Sequence, residues 1–172
     1  MIWFWIVWSI VLVFGLVVLR GAPYVPSRKR YIDQAFTELY PLGKKDTLVD
    51  IGSGDGIVLR RASRVGATAI GFEINPVLVI LSRIMSAQTN RVTIRFADVW
   101  LTKFPDTTTV VYVFTASPYL KKIGQKLQNE STRIGRPLKL ILYGNTLTGN
   151  KPDKNLAGYN LYTFLPLQTD EA

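Results

Sequence analysis

The segment Leu48-Val49-Asp50-Ile51-Gly52-Ser53-Gly54-Asp55-Gly56 constrains this chain more than any other. An apolar strand, Thr47 to Ile51, runs straight into three glycines at alternate positions. A helix from Ile57 to Val65 follows, with Val58, Ala62 and Val65 on one face and Arg60, Arg61 and Arg64 on another. Glycine tolerates the positive φ that so tight a reversal needs, so strand, turn and helix read as the first half of a βαβ unit. The same alternation continues. Thr68 to Phe72 predicts a second strand and Pro76 to Ala87 a mostly apolar helix; Val92 to Phe96, Thr109 to Val113 and Lys139 to Leu142 predict buried strands, with a helix from Tyr119 to Asn129 before the last. A polar loop from Gly144 to Asn155 precedes a final strand, Tyr159 to Leu165. Strands alternating with helices predict an α/β fold: a doubly wound, mostly parallel sheet with helices on both faces.

The amino terminus is of a different kind. Met1 to Leu19 contains no charged residue, and at about 1.5 Å per residue a helix of that length matches the ~30 Å hydrocarbon layer. Trp3, Trp5 and Trp8 gather at one end, while Arg20 and then Arg28, Lys29 and Arg30 follow the other. That arrangement predicts a single membrane span with the folded part on the cytoplasmic or matrix-equivalent side. A cleaved signal peptide would need a basic start and a small-residue cleavage site, and neither stands out. Three segments follow: an anchor over 1–19, a basic juxtamembrane segment with an amphipathic helix over 20–41, and the α/β domain over 42–172. In the middle segment Ser27 reads as an N-cap, and Ile32, Ala35, Phe36 and Leu39 form one helical face ending at Pro41. Arg28, Lys29 and Arg30 then occupy a first turn whose dipole disfavours cations, which either an anionic lipid surface offsets or solvent tolerates.

The chain has 21 Lys and Arg against 12 Asp and Glu, no Cys and no His. Thiol nucleophiles, Ser-His-Asp triads and Cys- or His-ligated metal are therefore excluded, and no metal centre is expected. In doubly wound sheets ligands sit beyond the carboxyl ends of the strands. Gly52, Gly54 and Gly56 would bring backbone amides and a helix N-terminus against a ligand there. The spacing is G-x-G-x-G, and Ile57 stands where a dinucleotide fingerprint needs its third glycine. Asp50, two residues before the first glycine, would repel a pyrophosphate but attract an ammonium group. Glu73 closes the second strand, where a carboxylate can accept both hydroxyls of a ribose. Asp98 follows the third strand and can accept from the exocyclic amine of adenine. A glycine turn with ammonium, ribose and adenine partners describes S-adenosylmethionine.

These residues resemble the class I SAM-dependent methyltransferases with a Rossmann-like fold. Among them the chain is similar to the membrane-anchored protein-lysine N-methyltransferases of the ATP synthase c-subunit and adenine nucleotide translocator type. The likeness is carried by Pro23-Tyr24-Val25-Pro26-Ser27, the glycine segment, Gly71-Phe72-Glu73-Ile74-Asn75-Pro76 with Leu78-Val79 and Ser82-Arg83, and Ala97-Asp98-Val99-Trp100. It runs from Pro23 to about Glu130; after the fifth strand Tyr143-Gly144-Asn145-Thr146 replaces the relatives' Arg-Phe-Pro-like segment. The resemblance implies a cofactor site of Asp50, Gly52, Ser53, Gly54, Gly56, Glu73, Asn75, Asp98 and Val99.

It also implies Tyr24 and Tyr119 at the acceptor. Tyr119 ends Ala116-Ser117-Pro118-Tyr119, where amine methyltransferases carry an Asn-Pro-Pro-Tyr-like segment; alternatively Pro118 makes a turn and Tyr119 opens a helix. Methyl transfer from a sulfonium is an in-line displacement needing alignment and dryness rather than a covalent catalyst, so missing His and Cys are no obstacle. Tethering to the lipid bilayer would favour a lysine on a membrane-embedded protein. A lipid or quinone acceptor, or a membrane module that binds the cofactor without turnover, would use the tether equally well. The basic balance leaves RNA as a further acceptor, although no aromatic-basic nucleic-acid module is visible.

Overall fold

The computed structural model describes residues 1–9, 29–114, 117–147 and 149–168. Helix α1, Lys29–Gln34, continues into a wider π-helical turn, Ala35–Leu39. The chain then runs β1 (Thr47–Ile51), α2 (Ile57–Arg64), β2 (Thr68–Glu73), α3 (Pro76–Ser86), β3 (Val92–Phe96) and β4 (Val110–Phe114). A 3₁₀ turn, Ser117–Tyr119, leads into α4 (Leu120–Ile134), followed by β5 (Leu138–Tyr143), β6 (Lys154–Leu156) and β7 (Tyr159–Phe164).

The strands form one seven-stranded sheet in the order β3-β2-β1-β4-β5-β7-β6. The first five are parallel; β7 pairs antiparallel with β5, and β6 antiparallel with β7. This is the mostly parallel, doubly wound sheet expected from the alternation of elements. Strand order reverses between β1 and β4, so a crevice opens beyond the carboxyl ends of those two strands.

Side chains alternate across the sheet and divide the core in two. On one face Leu48, Ala69, Ile94, Val110, Tyr112 and Ile141 pack under α1, α2 and α3, with Ile32, Phe36, Leu59 and Val79 buried among them. On the other, Val49, Phe72, Val111, Val113 and Leu140 lie under α4, whose Leu120, Ile123 and Leu127 point inward beside Phe104. The helical face predicted for Ile32, Ala35, Phe36 and Leu39 is buried as expected, and the helix stops at Tyr40, before Pro41. Its N-cap Ser27 lies outside the described residues.

Two expectations need correction. The stretch read as a loop from Gly144 to Asn155 contains the start of β6, which pairs Lys154, Asn155 and Leu156 with Leu161, Asn160 and Tyr159. An exposed edge strand shows no alternation in its sequence, so its pairing with β7 is what makes it a strand. The helix expected to end at Asn129 continues to Ile134, where Gly135 terminates it at φ +74°. Glu130 and Ser131, polar but buried, sustain the extra turn: Glu130 accepts from Lys126 and Arg133, and Ser131 donates to the Phe164 carbonyl at 2.8 Å.

Most of the expected anchor, Met1 to Leu19, lies outside the described residues. Residues 2–9 are helical, with Trp3, Trp5 and Trp8 exposed. Among the described residues no helix is long and apolar enough to cross a membrane.

Candidate active site

The glycine loop is built onto the end of β2. Gly52, Gly54 and Gly56 have φ of +71°, +54° and +78°, all left-handed. The amides of Gly52 and Ser53 donate to the Phe72 carbonyl at 2.9 and 3.1 Å, and that of Gly54 to Glu73 Oε2 at 2.9 Å. Gly56 donates to the Ser53 carbonyl at 2.8 Å and Ile57 to Asp55 Oδ1 at 3.0 Å. This corrects the expectation that the loop offers its amides to a ligand. These five amides are engaged inside the protein, which leaves the loop poorly suited to cradle a pyrophosphate the way a dinucleotide site or P-loop does. At Gly56 two constraints coincide: the left-handed φ, and a Cβ that would collide with Ser82 Oγ on α3.

Two buried carboxylates, Asp50 and Glu73, are neighbours at this turn instead, and a third, Asp55, pairs with Arg60 at 3.7 Å. Asp50 is 3 % exposed and Glu73 7 %. Glu73 is held rigidly, Oε2 by Gly54 and Oε1 by the amide of Asn75 at 2.8 Å. No donor among the described residues reaches the Asp50 carboxylate. Burial, then the neighbouring Glu73 and Asp55, push its pKa well above the usual carboxylate range. A buried acid without a partner beside two others is a poor place for an anion and a strong one for an ammonium group.

The remaining site residues divide. Asn75 lies beside Glu73, but its Oδ1 caps α3 by accepting from Val77 and Leu78 at 3.0 and 3.4 Å, which leaves its amide for a ligand. Ser53 is turned away: its buried Oγ packs toward Gly71, where a Cβ would come within 2.5 Å of it. Asp98 is brought alongside Glu73, because the amide of Ala97 donates to the Glu73 carbonyl at 3.1 Å. One Asp98 oxygen accepts from Trp100 N at 2.9 Å and fixes the turn. Val99 is buried in the α4-side core. Tyr119 does open the approach to α4, and its ring stacks on Trp100 at 6.4 Å between centroids. Tyr24 lies outside the described residues. Among the described residues no group of three Asp, Glu, His or Cys could hold a metal.

A row of aromatic rings, which the sequence reading missed, borders Asp50. The register places Tyr112 opposite Asp50, Phe114 opposite Tyr143, and Tyr143 opposite Tyr159. All therefore share Asp50's face of the sheet. The Phe114 and Tyr143 rings are 5.1 Å apart, Tyr143 and Tyr159 4.5 Å, and the hydroxyls of Tyr112 and Tyr159 lie at 3.1 Å. Burial pushes the Tyr159 phenol up to about 12, with Tyr143 and Asp50 acting in the same direction. Phe114 and Tyr143 are only half-buried and are the last residues of β4 and β5, at the carboxyl edge of the sheet. The residues come from β4, β5 and β7, so only the strand register unites them.

Comparison with known proteins agrees with this geometry. The human lysine N-methyltransferase of the ATP synthase c-subunit is 32 % identical over 111 residues, covering 63 % of this chain and 46 % of that protein. The mouse adenine nucleotide translocase lysine N-methyltransferase is 33 % identical over 131 residues, 72 % of this chain and 56 % of its own length. The chain thus spans about half the length of these curated relatives. Among solved structures, an RNA methyltransferase from Salinibacter ruber in complex with S-adenosyl-L-homocysteine superposes with a TM-score of 0.73 at 26 % identity, covering 86 % of this chain and 98 % of that one. Residues 50–137, from Asp50 to the residue before β5, match the ANTKMT methyltransferase domain, and the chain belongs to that family.

Proposed function

We propose that this chain is an S-adenosylmethionine-dependent methyltransferase that transfers a methyl group to a lysine of a membrane-embedded protein. The observation that carries the proposal is Asp50: a buried carboxylate that no donor among the described residues reaches, next to Glu73, under a loop whose amides face inward. Such a site suits a ligand bearing an ammonium group and a ribose, and excludes one bearing a pyrophosphate.

In this reading Asp50 accepts from the ligand's ammonium, Glu73 from its ribose hydroxyls, and the free oxygen of Asp98 from the adenine amine. Trp100 and Tyr119, stacked on each other, form an apolar wall on the Asp98 side. The cofactor supplies an electrophilic methyl group on sulfur. The chain's own work is to position the acceptor nitrogen in line and keep water away. Phe114, Tyr143 and Tyr159 suit that work, because ring faces attract an alkylammonium while offering it a dry surface. Burial there lowers the amine's pKa, so the lysine releases its proton to solvent water on entry and its lone pair becomes available. Tyr24 would close the acceptor side from the segment before α1.

The charge-free run Met1 to Leu19 supports a single-pass anchor, with the cationic Arg28, Lys29 and Arg30 holding the domain on the cytoplasmic or matrix-equivalent side. Both relatives are named for the protein whose lysine they methylate, an ATP synthase c-subunit and an adenine nucleotide translocase, and an anchored enzyme suits acceptors of that kind. A second reading, RNA methylation, is favoured by the likeness to the Salinibacter RNA methyltransferase over nearly its whole length, together with the net charge of +9.

Methyl-labelled S-adenosylmethionine, incubated with the full chain, membranes and RNA, tests the proposal. Label in lysine of a membrane protein is expected. Label confined to RNA would establish the second reading, and label confined to the lipid extract would replace lysine by a lipid or quinone acceptor.

A further inference from the structure

Helix α3 is amphipathic the wrong way round. Its inward residues are Val79, Ser82 and Ser86, whereas Val77, Ile80, Leu81, Ile84 and Met85 point outward, between 42 and 68 % exposed. The outward residues recur at i, i+3, i+4, i+7 and i+8, a continuous helical stripe. The inward serines have a local cause: Ser82 faces Gly56 of the glycine loop and Ser86 faces Arg60 of α2. Nothing in the core accounts for five large apolar side chains in water. Phe96, which ends β3 on the same face of the sheet, extends the stripe and is 61 % exposed. Apolar surface of this kind marks a contact with a partner or a membrane.

The surrounding charge identifies the partner. Of the exposed cations between Asn75 and Lys103, Arg83 lies on α3 and donates to the Ile94 carbonyl at 2.9 Å, and Arg91 and Lys103 flank β3 in sequence, whereas Arg95 turns to the opposite face of the sheet over Phe72; the sole acid in this stretch is Asp98, which lies in the crevice. An apolar stripe with a cationic border matches the interface of an anionic bilayer, acyl chains against the stripe and headgroups against the rim. The same helical layer carries α1, whose exposed Lys29 and Arg30 begin the described domain.

We infer that α3 is a second membrane-contact site, which lays its outer face into the interface of an anionic bilayer. Because Asn75 caps α3 and Glu73 lies two residues earlier, this contact orients the crevice as well as holding the domain down. The inference does not depend on which acceptor is methylated.

The chain has no cysteine, so a single introduced one labels uniquely. Full-length Ile84→Cys carries a bimane fluorophore; Gln125→Cys, exposed on α4 across the sheet, is the control. Both are reconstituted into phosphatidylcholine vesicles with or without phosphatidylglycerol, with bromine on the acyl chains as quencher, and circular dichroism verifies the fold. The inference predicts a blue shift and several-fold stronger quenching at position 84 than at 125, weakening when phosphatidylglycerol is omitted. A solvent-exposed spectrum at 84 would overturn it. So would a blue shift without bromolipid quenching, which would assign the stripe to the chain's own amino-terminal run or to a second copy.

Discussion

Asp50→Asn exchanges one oxygen for an amide nitrogen without altering side-chain volume, and its effects on stability and on binding should have opposite signs. In the free protein the wild-type carboxyl is raised by burial and by Glu73 and Asp55, from an ordinary value of 3.8. Above that value the unfolded chain releases a proton that the folded chain still holds. The wild type therefore loses stability as pH rises, by about 1.4 kcal/mol per pH unit, until the folded carboxyl itself ionises. The Asn variant lacks this slope. By neutral pH it should be the more stable protein, because the amide never ionises in this buried place. Binding should move the other way. Removing the charge that faces the ligand's ammonium costs about 2–5 kcal/mol, a loss of at least about 30-fold in affinity for S-adenosylmethionine. Urea unfolding in detergent from about pH 4 to pH 8, with titration calorimetry on the same samples, measures both. A variant less stable than wild type at neutral pH, with undiminished affinity, would refute the reasoning.

Gly56→Ala should destabilise by about 2–4 kcal/mol in urea unfolding, since a left-handed alanine and a collision with Ser82 Oγ are imposed together. Adding Ser82→Gly should return only the second part. Tyr143→Leu and Phe114→Leu should raise the acceptor KM by about 5- to 10-fold, as expected from one lost cation–π contact, with cofactor affinity unchanged; Tyr143→Phe should keep the wild-type KM. Glu130→Gln should cost about 3 kcal/mol, because Lys126 and Arg133 lose a buried partner. Burial alone would raise the Glu130 carboxyl, but hydrogen bonds from Lys126 and Arg133 outweigh it and the net shift is downward. Its contribution is thus present above the usual carboxylate range and lost as pH falls through the lowered value, so acid-unfolding curves of wild type and variant should converge at low pH.

What the sequence revealed follows from what is local. The strand Thr47–Ile51, the glycine loop, α2 and Glu73 were legible because each depends on neighbours within a few residues: an apolar run, positive φ and a strand end. The loop's amides were misjudged because their partner is β2, and a turn's sequence does not specify which carbonyls stand opposite it. The row Tyr112, Phe114, Tyr143 and Tyr159 was invisible for the same reason, since β7 enters the sheet antiparallel between β5 and β6. Periodicity marked α3 as apolar but could not indicate which side faces inward, because the two serines that pack there are small rather than hydrophobic. At Asp98 the structure shows a local role that the sequence analysis did not anticipate, since one carboxylate oxygen accepts from Trp100 N and fixes the turn.

The account rests on a buried acidic crevice that binds a nucleoside carrying an ammonium group, and calorimetric titration of the wild-type chain with S-adenosylhomocysteine, adenosine and NAD tests it most directly. Saturable binding of S-adenosylhomocysteine, much weaker binding of adenosine, which lacks the ammonium, and no heat from NAD are the expected results. Equal affinity for adenosine and S-adenosylhomocysteine, or preference for NAD, would contradict it.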